Sequence, residues 1–380
     1  MRFIATVHAM LALGVFGQLS AEATDSLVGF PRYDRVVVLD KAPVTSANVS
    51  IGDVNGDHHP DIVIANGRHW PLSSRVFLGD GRGQFAAGYN LDEKAYRSYA
   101  GRLADMNGDG ALDVVLSNDE PDPKVVYLND GKGHFQLGSS YGRPEWPTRH
   151  ATLADLNGDG LPDIVVANRS TDVGNFICLN KGRGRFDSNC LQFSKEPATT
   201  ITAADLDRDR SIDLVVPHRD GGQSYVYLAG PKGTYSNSRR IAFGPPNATI
   251  RMVEIADLNG DTLMDIVAID DEHRGVAIYF RQKDGTFSSG VAIDNGPVTP
   301  YALAVRDLNA DGTTDVVVGN VASPSTVYFN DGSGHHYTPV RFGDSEGVVF
   351  GFAIADLDGD GKLDIAAARS NATNSVYLAD

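Results

Sequence analysis

The sequence contains very little cysteine. Among 380 residues only Cys178 and Cys190 occur, which excludes a scaffold held together by several disulfides. The two cysteines flank a Gly-rich segment that is typical of a tight turn between two strands. We therefore expect them to face each other and to form one local disulfide in an exported protein. Two free thiols buried between strands are the alternative.

Long hydrophobic runs are also scarce. The apolar run at 3–17 follows Met1 and Arg2 and gives way to small residues before position 23, which is the pattern of a secretory signal peptide. We expect residues 1–23 to be removed and the mature chain, 24–380, to be secreted or periplasmic. Because no later run reaches the length of a membrane span, we expect no transmembrane segment.

The chain lacks any concentration of basic residues. It has 33 Lys and Arg against 49 Asp and Glu, for a net charge of −16, so we expect no nucleic-acid partner. The sequence also lacks a phosphate-binding loop, a GxSxG motif and the ligand spacing of a zinc site. No motif therefore indicates an enzyme by itself.

What the chain does contain is a nine-residue acidic phrase, DLNGDGLPD at 155–163, in seven copies. The copies begin at positions 53, 105, 155, 205, 257, 307 and 356, with a period near 50 residues. Such a period indicates a repeat architecture, in which each unit needs its neighbours to bury its faces.

The spacing of the acids within the phrase suits a hard cation. Oxygens at positions 1, 3, 5 and 9 of a tightly wound loop can converge on one point, and Ca²⁺ takes about six to eight oxygen ligands. All seven copies have Asp at positions 1, 5 and 9 and Asn or Asp at position 3. Turn chemistry alone is the alternative, but it does not require that restriction, so we predict up to seven structural Ca²⁺ sites.

The predicted ligands are Asp53, Asn55, Asp57, Asp61, Asp105, Asn107, Asp109, Asp113, Asp155, Asn157, Asp159, Asp163, Asp205, Asp207, Asp209, Asp213, Asp257, Asn259, Asp261, Asp265, Asp307, Asn309, Asp311, Asp315, Asp356, Asp358, Asp360 and Asp364. At position 6, where the chain must turn sharply, we expect a positive φ, which favours glycine. Three copies have His58, Arg210 or Thr262 there. We expect these loops either to bind more weakly, with the loop that begins at Asp205 the weakest, or to be held by something other than the ion.

A second phrase, VYLNDGKGHF at 126–135, recurs together with the acidic phrase. With these two phrases, residues 30–380 resemble the FG-GAP or VCBS repeats, which build the seven-bladed propeller heads of integrin α-subunits and several secreted lectins. The resemblance implies an all-β fold, a seven-bladed β-propeller of four-stranded blades that forms one domain over 24–380. It implies adhesion or lectin-like binding without choosing between them, because the same scaffold also hosts enzymes.

Turn signals divide each repeat into four strands, A to D. The chain ends after a strand C at 376–380, whereas residues 35–40 have the pattern of a strand D ahead of the first strand A. We therefore expect this N-terminal outer strand to complete the last blade and close the ring, since closure removes exposed sheet edges.

In such a blade the A–B turns, which are the acidic loops, share one face with the C–D turns. The opposite face carries loops that differ between repeats, and variable loops on a rigid scaffold are where binding usually lies. Counting six residues back from each first Asp predicts a ring at the mouth of the central channel. The ring consists of Ala47, Tyr99, Arg149, Thr199, Arg251, Tyr301 and Phe350. Its arginines and tyrosines favour an anionic or polyhydroxylated ligand.

Trp70 and Trp146 also fall on the variable face, where an exposed indole would stack on a sugar or anchor a protein; packing between blades is the alternative. The candidate ligand-binding residues are Trp70, Tyr99, Trp146, Arg149, Arg251 and Tyr301. We predict a binding module for carbohydrate or for an extracellular protein.

The alternative function is an exported enzyme, a polysaccharide lyase or hydrolase. Its catalytic candidates at the channel mouth are Arg149, His150, His218 and Arg251. His69 and His273 fall on the same face and extend a possible acid/base or metal set. Because Arg149 and Arg251 belong to no metal loop and to no apolar strand position, we expect their replacement by Ala to leave stability almost intact.

Overall fold

The repeats fold into short strands, and the computed structural model describes residues 29–272, 275–293 and 296–380. The expected signal peptide, 1–23, lies outside these residues. Residues 31–380 form one unit, whose regular structure in the described part is all β apart from the 3-10 helix Asn237–Arg239. No described helix is long and apolar enough to cross a membrane.

The strands, numbered in chain order, are β1 (Arg35–Val38), β2 (Val44–Gly52), β3 (Asp61–Asn66), β4 (Arg75–Phe77), β5 (Tyr89–Asn90), β6 (Ser98–Ala104), β7 (Asp113–Asn118), β8 (Lys124–Asn129), β9 (Phe135–Tyr141), β10 (Thr148–Ala154), β11 (Asp163–Asn168), β12 (Asn175–Cys178), β13 (Leu191–Ser194), β14 (Thr202–Ala204), β15 (Asp213–Val216), β16 (Ser224–Tyr227), β17 (Arg240–Phe243), β18 (Ile250–Ala256), β19 (Asp265–Asp270), β20 (Gly275–Tyr279), β21 (Val291–Ile293), β22 (Pro300–Arg306), β23 (Asp315–Asn320), β24 (Ser325–Asn330), β25 (Tyr337–Phe342), β26 (Val348–Ala355), β27 (Asp364–Ala372) and β28 (Ser375–Leu378).

Antiparallel pairing groups most of these strands into sheets of four. Strands β6–β9, β10–β13, β14–β17, β18–β21 and β22–β25 each form a four-stranded sheet in sequence order. The other eight strands form one sheet, in which β2–β5 meet β26, β27, β28 and β1 through two residue pairs between β2 and β27. Four-stranded sheets of this kind are the blades of a β-propeller. The all-β expectation is therefore confirmed.

The core lies between neighbouring sheets. The second strand of each sheet is short and apolar, and β11, for example, is buried along its whole length. One cluster joins Val63 and Ala65 of β3 to Val114 and Leu116 of β7. Each second strand is therefore covered on both faces by the adjacent sheets, which explains why its sequence is a nearly continuous apolar run.

The N-terminal strand β1 pairs with the C-terminal strand β28, from Arg35 opposite Leu378 to Val38 opposite Ser375. The segment after β1 adds a buried carboxylate. Asp40 accepts hydrogen bonds from the backbone N–H and the side-chain Nδ2 of Asn374, at 3.1 and 2.6 Å, and from Arg75 Nη1 at 3.0 Å. The two ends of the chain are therefore held together by both backbone and side-chain contacts.

The last Asp of each acidic phrase begins the second strand of a sheet and is almost completely buried. In the third repeat, Asp163 Oδ2 accepts the N–H of Leu156, at 3.1 Å, and Oδ1 accepts the N–H of Asn180, at 2.8 Å. We name this arrangement the aspartate clamp. Its seven members are Asp61, Asp113, Asp163, Asp213, Asp265, Asp315 and Asp364.

The clamp explains the invariance of position 9 without a metal ion. It joins the acidic loop to the residue at or just beyond the end of the third strand, so it fixes the A–B and C–D turns together. Asn180 at that place also donates its Nδ2 to the carbonyl of Met106 in the preceding repeat, at 2.9 Å. Equivalent bonds run from Asn129 to Val54 and from Asn330 to Leu258. The acidic loops and C–D turns therefore lie on one face.

A chain that begins at Ser46 would lack both β1 and Asp40. We expect it to aggregate, because the edge of β28 is exposed and Arg75 and Asn374 lose a buried acceptor. Size-exclusion chromatography of the purified chain tests this expectation. A chain that begins at Pro31 keeps β1 and serves as the control. A monomeric Ser46 chain with an unchanged melting temperature would contradict the structural role of β1.

The substitution Asp163→Asn tests the clamp. An amide offers one acceptor oxygen, so its NH₂ group would face a backbone N–H. We expect the free energy of unfolding to fall by about 1–3 kcal/mol, to a similar extent with and without calcium, as measured by urea unfolding. The control is Asp172→Asn, at an exposed position of the same repeat. A loss seen only in calcium would mean that Asp163 acts through the ion.

Candidate functional site

The first strand of most sheets carries a β-bulge near its start. The pairing register skips one residue in β2, β6, β10, β18, β22 and β26. The skipped residues are Ala47, Tyr99, Arg149, Arg251, Tyr301 and Phe350. A bulge leaves its residue outside the hydrogen-bond ladder and redirects its side chain. Six of the seven residues of the predicted ring are therefore bulge residues, and Thr199, the seventh, precedes β14.

All seven ring residues line a single cavity with a volume of about 180 Å³. Residues in or just before the innermost strand of every repeat contribute to it, and the B–C loops add Arg68, His69 and Arg169. The structure thus brings the predicted ring together at one place, which we name the channel mouth.

Three arginines of the channel mouth lie over aromatic rings. The guanidinium carbon is 4.4 Å from the ring centre of Tyr99 for Arg149 and 3.8 Å from that of Tyr301 for Arg251. Arg68 lies 3.8 Å from the ring centre of Phe350. Such cation–π contacts hold the guanidinium groups in place.

Arg149 and Arg251 are also ion-paired. Arg149 contacts Asp119, which is only 6% exposed. Arg251 binds Asp271 with Nε at 2.9 Å and Nη2 at 2.6 Å. Replacing Arg149 would leave the buried Asp119 without its arginine, which is destabilising. Asp271 would keep a second partner, because Arg219 Nη2 also lies 2.6 Å from it. Both arginines therefore make ion pairs that their position in the sequence does not indicate, and for Arg149 this pairing argues against the expectation that Ala would be tolerated.

Arg68 differs from these two arginines. It has no carboxylate partner among the described residues. Its Nη1 lies 3.4 Å from Ser370 Oγ, and its Nε is buried without a hydrogen-bond partner. The backbone φ of Arg68 is +53°, an uncommon conformation for a residue other than glycine. Sequence analysis did not select Arg68, because its contacts with Phe350 and Ser370 join distant parts of the chain.

Below the channel mouth, Arg102, His150 and Glu254 line the same cavity. Arg102 Nη2 lies 2.5 Å from His150 Nε2. Burial and the charge of Arg102 hold the pKa of His150 well below its usual range, so this imidazole is neutral. Burial raises the pKa of Glu254 to about 7, against the opposing effect of Arg102. His150 is thus a hydrogen-bond acceptor for Arg102.

The remaining candidates are dispersed. Trp146 is 5% exposed and stacks on Phe176, with ring centres 4.1 Å apart, so it packs within the fold. Trp70 is 70% exposed but does not line the cavity. His218 lies in a separate cleft with Glu196, and His273 lies outside the described residues. The structure does not bring His150 and His218 together as an acid/base pair.

Cys178 and Cys190 form a disulfide. Cys178 is buried at the end of β12, and Cys190 lies just before β13, so the bond joins the third and fourth strands of one sheet. It lies away from the channel mouth and stabilises a single blade.

The seven acidic loops share one backbone conformation. The residue at position 6 has a positive φ in every copy, from His58 at 67° and Arg210 at 70° to Gly110 at 90°. The expected left-handed turn is therefore confirmed. Its N–H donates to the carboxylate at position 1, as Arg210 does to Asp205 at 2.9 Å. The loops without glycine are folded in the same way as the others.

The side chain at position 3 separates the loops into two groups. Asn157 donates its Nδ2 to Asp159 Oδ2 at 3.0 Å, and the other loops with Asn at this position have the same bond. An aspartate cannot donate. Carboxylate oxygens of Asp205, Asp207 and Asp209 lie within 4.8 Å of one another, as do those of Asp356, Asp358 and Asp364.

The residues present fit a hard cation best in the loop at 205–213. Asp205 Oδ1 is buried without a hydrogen-bond partner, and three carboxylates lie close together there with no asparagine side chain to donate to them. In the loop at 356–364, Arg35 already pairs with Asp358 at 3.0 Å. Asp257 Oδ1 in the loop at 257–265 is also buried without a partner.

Comparison with known proteins supports the fold. Two crystal structures of BBS1N in complex with ARL6DN, one soaked with mercury and one with lead, match with a TM-score of 0.62 and 13% sequence identity. The first alignment covers 92% of this chain and 97% of the matched chain. The second covers 91% of this chain and 98% of the matched chain. At this identity the likeness shows the fold alone. A search of curated proteins gave no match.

The sequence also matches a family of repeats. The description FG-GAP-like repeat applies to six overlapping segments. Each segment begins at one acidic phrase, includes the next acidic phrase and ends in the strand that directly follows it. The segments are 53–116, 105–166, 155–216, 205–268, 257–318 and 307–367. Together they cover most of the chain, which therefore belongs to the FG-GAP-like repeat family.

Proposed function

We propose that this protein is an exported, calcium-stabilised binding module that engages its ligand at the channel mouth. The observation that carries this proposal is the convergence of side chains from all seven repeats on one cavity. The acidic loops repeat nearly the same residues, whereas the seven ring residues of the channel mouth are of five different types. A specific ligand therefore finds distinctive chemistry only at the mouth.

We further propose seven blades in a closed ring, with β1 as the outer strand of the last blade. The innermost strands contact one another in the order β2, β6, β10, β14, β18, β22 and β26, and β26 contacts β2. Gly83 N donates to Leu357 O, as Gly184 N donates to Met106 O between consecutive repeats. Both observations support a junction of the last and first blades like the other junctions.

The preferred ligand class is a protein. The structure of BBS1N was solved in complex with a protein, ARL6DN, and we propose that the propeller of this chain likewise binds a protein. Carbohydrate, the other expected class, usually stacks on an open aromatic face. Tyr99, Tyr301 and Phe350 each have a guanidinium group over the ring, so the mouth offers hydrogen-bond donors more than free rings. The Cys178–Cys190 disulfide supports an oxidising, extracytoplasmic location.

Ca²⁺ is the proposed ion because the candidate ligands are all hard oxygens. We propose that the loop at 205–213 binds it most tightly, which reverses the ranking based on Gly at position 6. The buried, unpartnered Asp205 Oδ1 and the neighbouring Asp207 and Asp209 support this order. A bound cation would supply the counter-charge that the neighbouring carboxylates need.

Removal of calcium should lower the melting temperature, since an ion that binds only the folded loops adds about 2.7 kcal/mol per site at one hundred times its Kd. Differential scanning calorimetry with chelator and then with excess Ca²⁺ measures the change. An unchanged melting curve after exhaustive chelation would contradict the calcium proposal.

Asp207→Asn should change stability in opposite directions in the two buffers. In chelator the variant should melt at or above the wild-type temperature, because repulsion is relieved and the new amide can donate to Asp209. In Ca²⁺ it should gain less than the wild type does. Asp172→Asn is the charge control. A fall in melting temperature in both buffers would show that Asp207 has a metal-independent role.

Blocking one face at a time tests the working surface. Thr199→Cys places a thiol at the channel mouth, and Lys132→Cys places one in an exposed C–D turn of the opposite face. Each variant is labelled with a bulky maleimide. Peptide and glycan binders selected on the wild type should lose affinity for the labelled Thr199 variant only, as measured by biolayer interferometry. Loss confined to the labelled Lys132 variant would place the working surface on the acidic face.

A further inference from the structure

We propose that the channel mouth recognises a carboxylate of an acidic protein segment and that Arg68 is the residue that binds it. This inference rests on the proposed function, because it names the ligand chemistry of the same mouth. Its basis is that, within the part of the chain that the structure describes, Arg68 is the one arginine of the cavity wall that has neither an ion pair nor a short hydrogen bond.

The charges around the mouth are mostly balanced within the protein. Five arginines line the cavity: Arg68, Arg102, Arg149, Arg169 and Arg251. Asp119, Asp220 and Asp271 pair with three of them. Arg102 contacts His150, and the electrostatic interaction with Glu254 raises the pKa of Arg102 against the opposing effect of burial. Among the described residues, Arg68 alone of these five has neither an ion pair nor a short hydrogen bond, so a ligand carboxylate would supply its counter-charge.

The backbone of Arg68 is held by hydrogen bonds, although its guanidinium group has few hydrogen-bond partners. Gly67 N donates to Thr45 O at 2.8 Å, and Arg68 N donates to Ser98 O at 3.1 Å. These bonds hold the backbone of Arg68 in its left-handed conformation. Strained backbone persists where the surrounding structure enforces it, and such positions cluster at binding sites. Phe350 then supports the guanidinium plane from one side.

The chemistry of this group favours a carboxylate. A guanidinium group has a planar fork of N–H donors that matches the two oxygens of a carboxylate. Nη1 has Ser370 Oγ at the long distance of 3.4 Å, Nε is buried, and no described residue accepts a hydrogen bond from Nη2. Donors therefore remain for a ligand. The cavity, at about 180 Å³, admits a side chain or a chain terminus and is too small for a folded domain.

An acidic peptide suits the mouth better than an acidic sugar. A sugar would add ring stacking to its charge, but the indole of Trp146 is buried and that of Trp70 lies outside the cavity. The overall charge of −16 also opposes long-range attraction of polyanions. Recognition must therefore come from short-range contacts, as a flexible Asp or Glu side chain or a C-terminal carboxylate would make.

Fluorescence anisotropy with the full chain in calcium-containing buffer tests the proposal. The probes are a labelled, capped glutamate peptide, a glutamine peptide of the same length and an oligogalacturonate of the same charge. We expect the glutamate peptide to bind at least about tenfold more tightly than the glutamine peptide, given the strength of charge-assisted hydrogen bonds. The oligogalacturonate should bind more weakly than the glutamate peptide.

Arg68→Asn should weaken binding of the glutamate peptide about tenfold to one hundredfold, since Asn tolerates a left-handed backbone. Arg68→Lys, which keeps the charge without the fork, should lie between the two. Arg183→Asn is the matched control: Arg183 has a φ of 58°, is exposed and lies in a C–D turn on the opposite face. The Arg183→Asn substitution removes the same positive charge, and the variant should bind the glutamate peptide as tightly as the wild type does.

Equal binding by the wild type and Arg68→Asn, or no binding of the glutamate peptide, would overturn the assignment of Arg68. Preference for oligogalacturonate would overturn the protein class of the ligand. Melting temperatures of all variants distinguish a local loss from unfolding. If the selected binders lose affinity only for the labelled Thr199→Cys variant, the proposed binding module holds even when the assignment of Arg68 fails. If they lose affinity only for the labelled Lys132→Cys variant, both proposals are wrong.

Discussion

Seven buried carboxylates connect every acidic loop to its sheet. Asp163 and its counterparts accept one hydrogen bond from the loop and one from the end of the third strand, and the adjoining Asn180 reaches the preceding repeat. A buried carboxylate is costly unless its oxygens are satisfied. Loop, sheet and neighbouring sheet therefore depend on the same side chain, and an error at that position disturbs all three.

This rigid face allows the opposite face to vary. With the A–B and C–D turns held together, the other ends of the innermost strands can carry bulges without loss of register. The six bulge residues share a backbone position, yet their side chains range from Ala47 to Arg149 and Phe350. Bulges near the rim of a fold commonly redirect a side chain toward a functional site. The repeat thus combines an almost constant face with a variable one.

Sequence periodicity predicted the strands, the left-handed turn at position 6 and the ring at the channel mouth, because these depend on residues within one repeat. Periodicity does not predict contacts between residues that are far apart in the sequence. The burial of Trp146 depends on Phe176, the role of Arg149 depends on Asp119, and the guanidinium group of Arg68 contacts Phe350 of the last repeat.

Position 9 shows how one pattern can carry two explanations. The spacing of Asp within the phrase suited a cation, and it equally suits the aspartate clamp, which needs a carboxylate in every copy. Position 3 is more informative, because Asn closes the loop with its own donor whereas Asp207 leaves three acids together. The residue that varies among the copies therefore separates the two explanations better than the residues that do not.

The pairing of β1 with β28 also bears on the order of events during synthesis. Arg35 emerges from the ribosome long before its partner Leu378 is synthesised. The first strand therefore lacks its partner while the residues between the two strands are synthesised, although the intervening sheets pair strands that are close in sequence. Closing so long a loop adds little entropy cost beyond that of a shorter one, but it delays the final pairing.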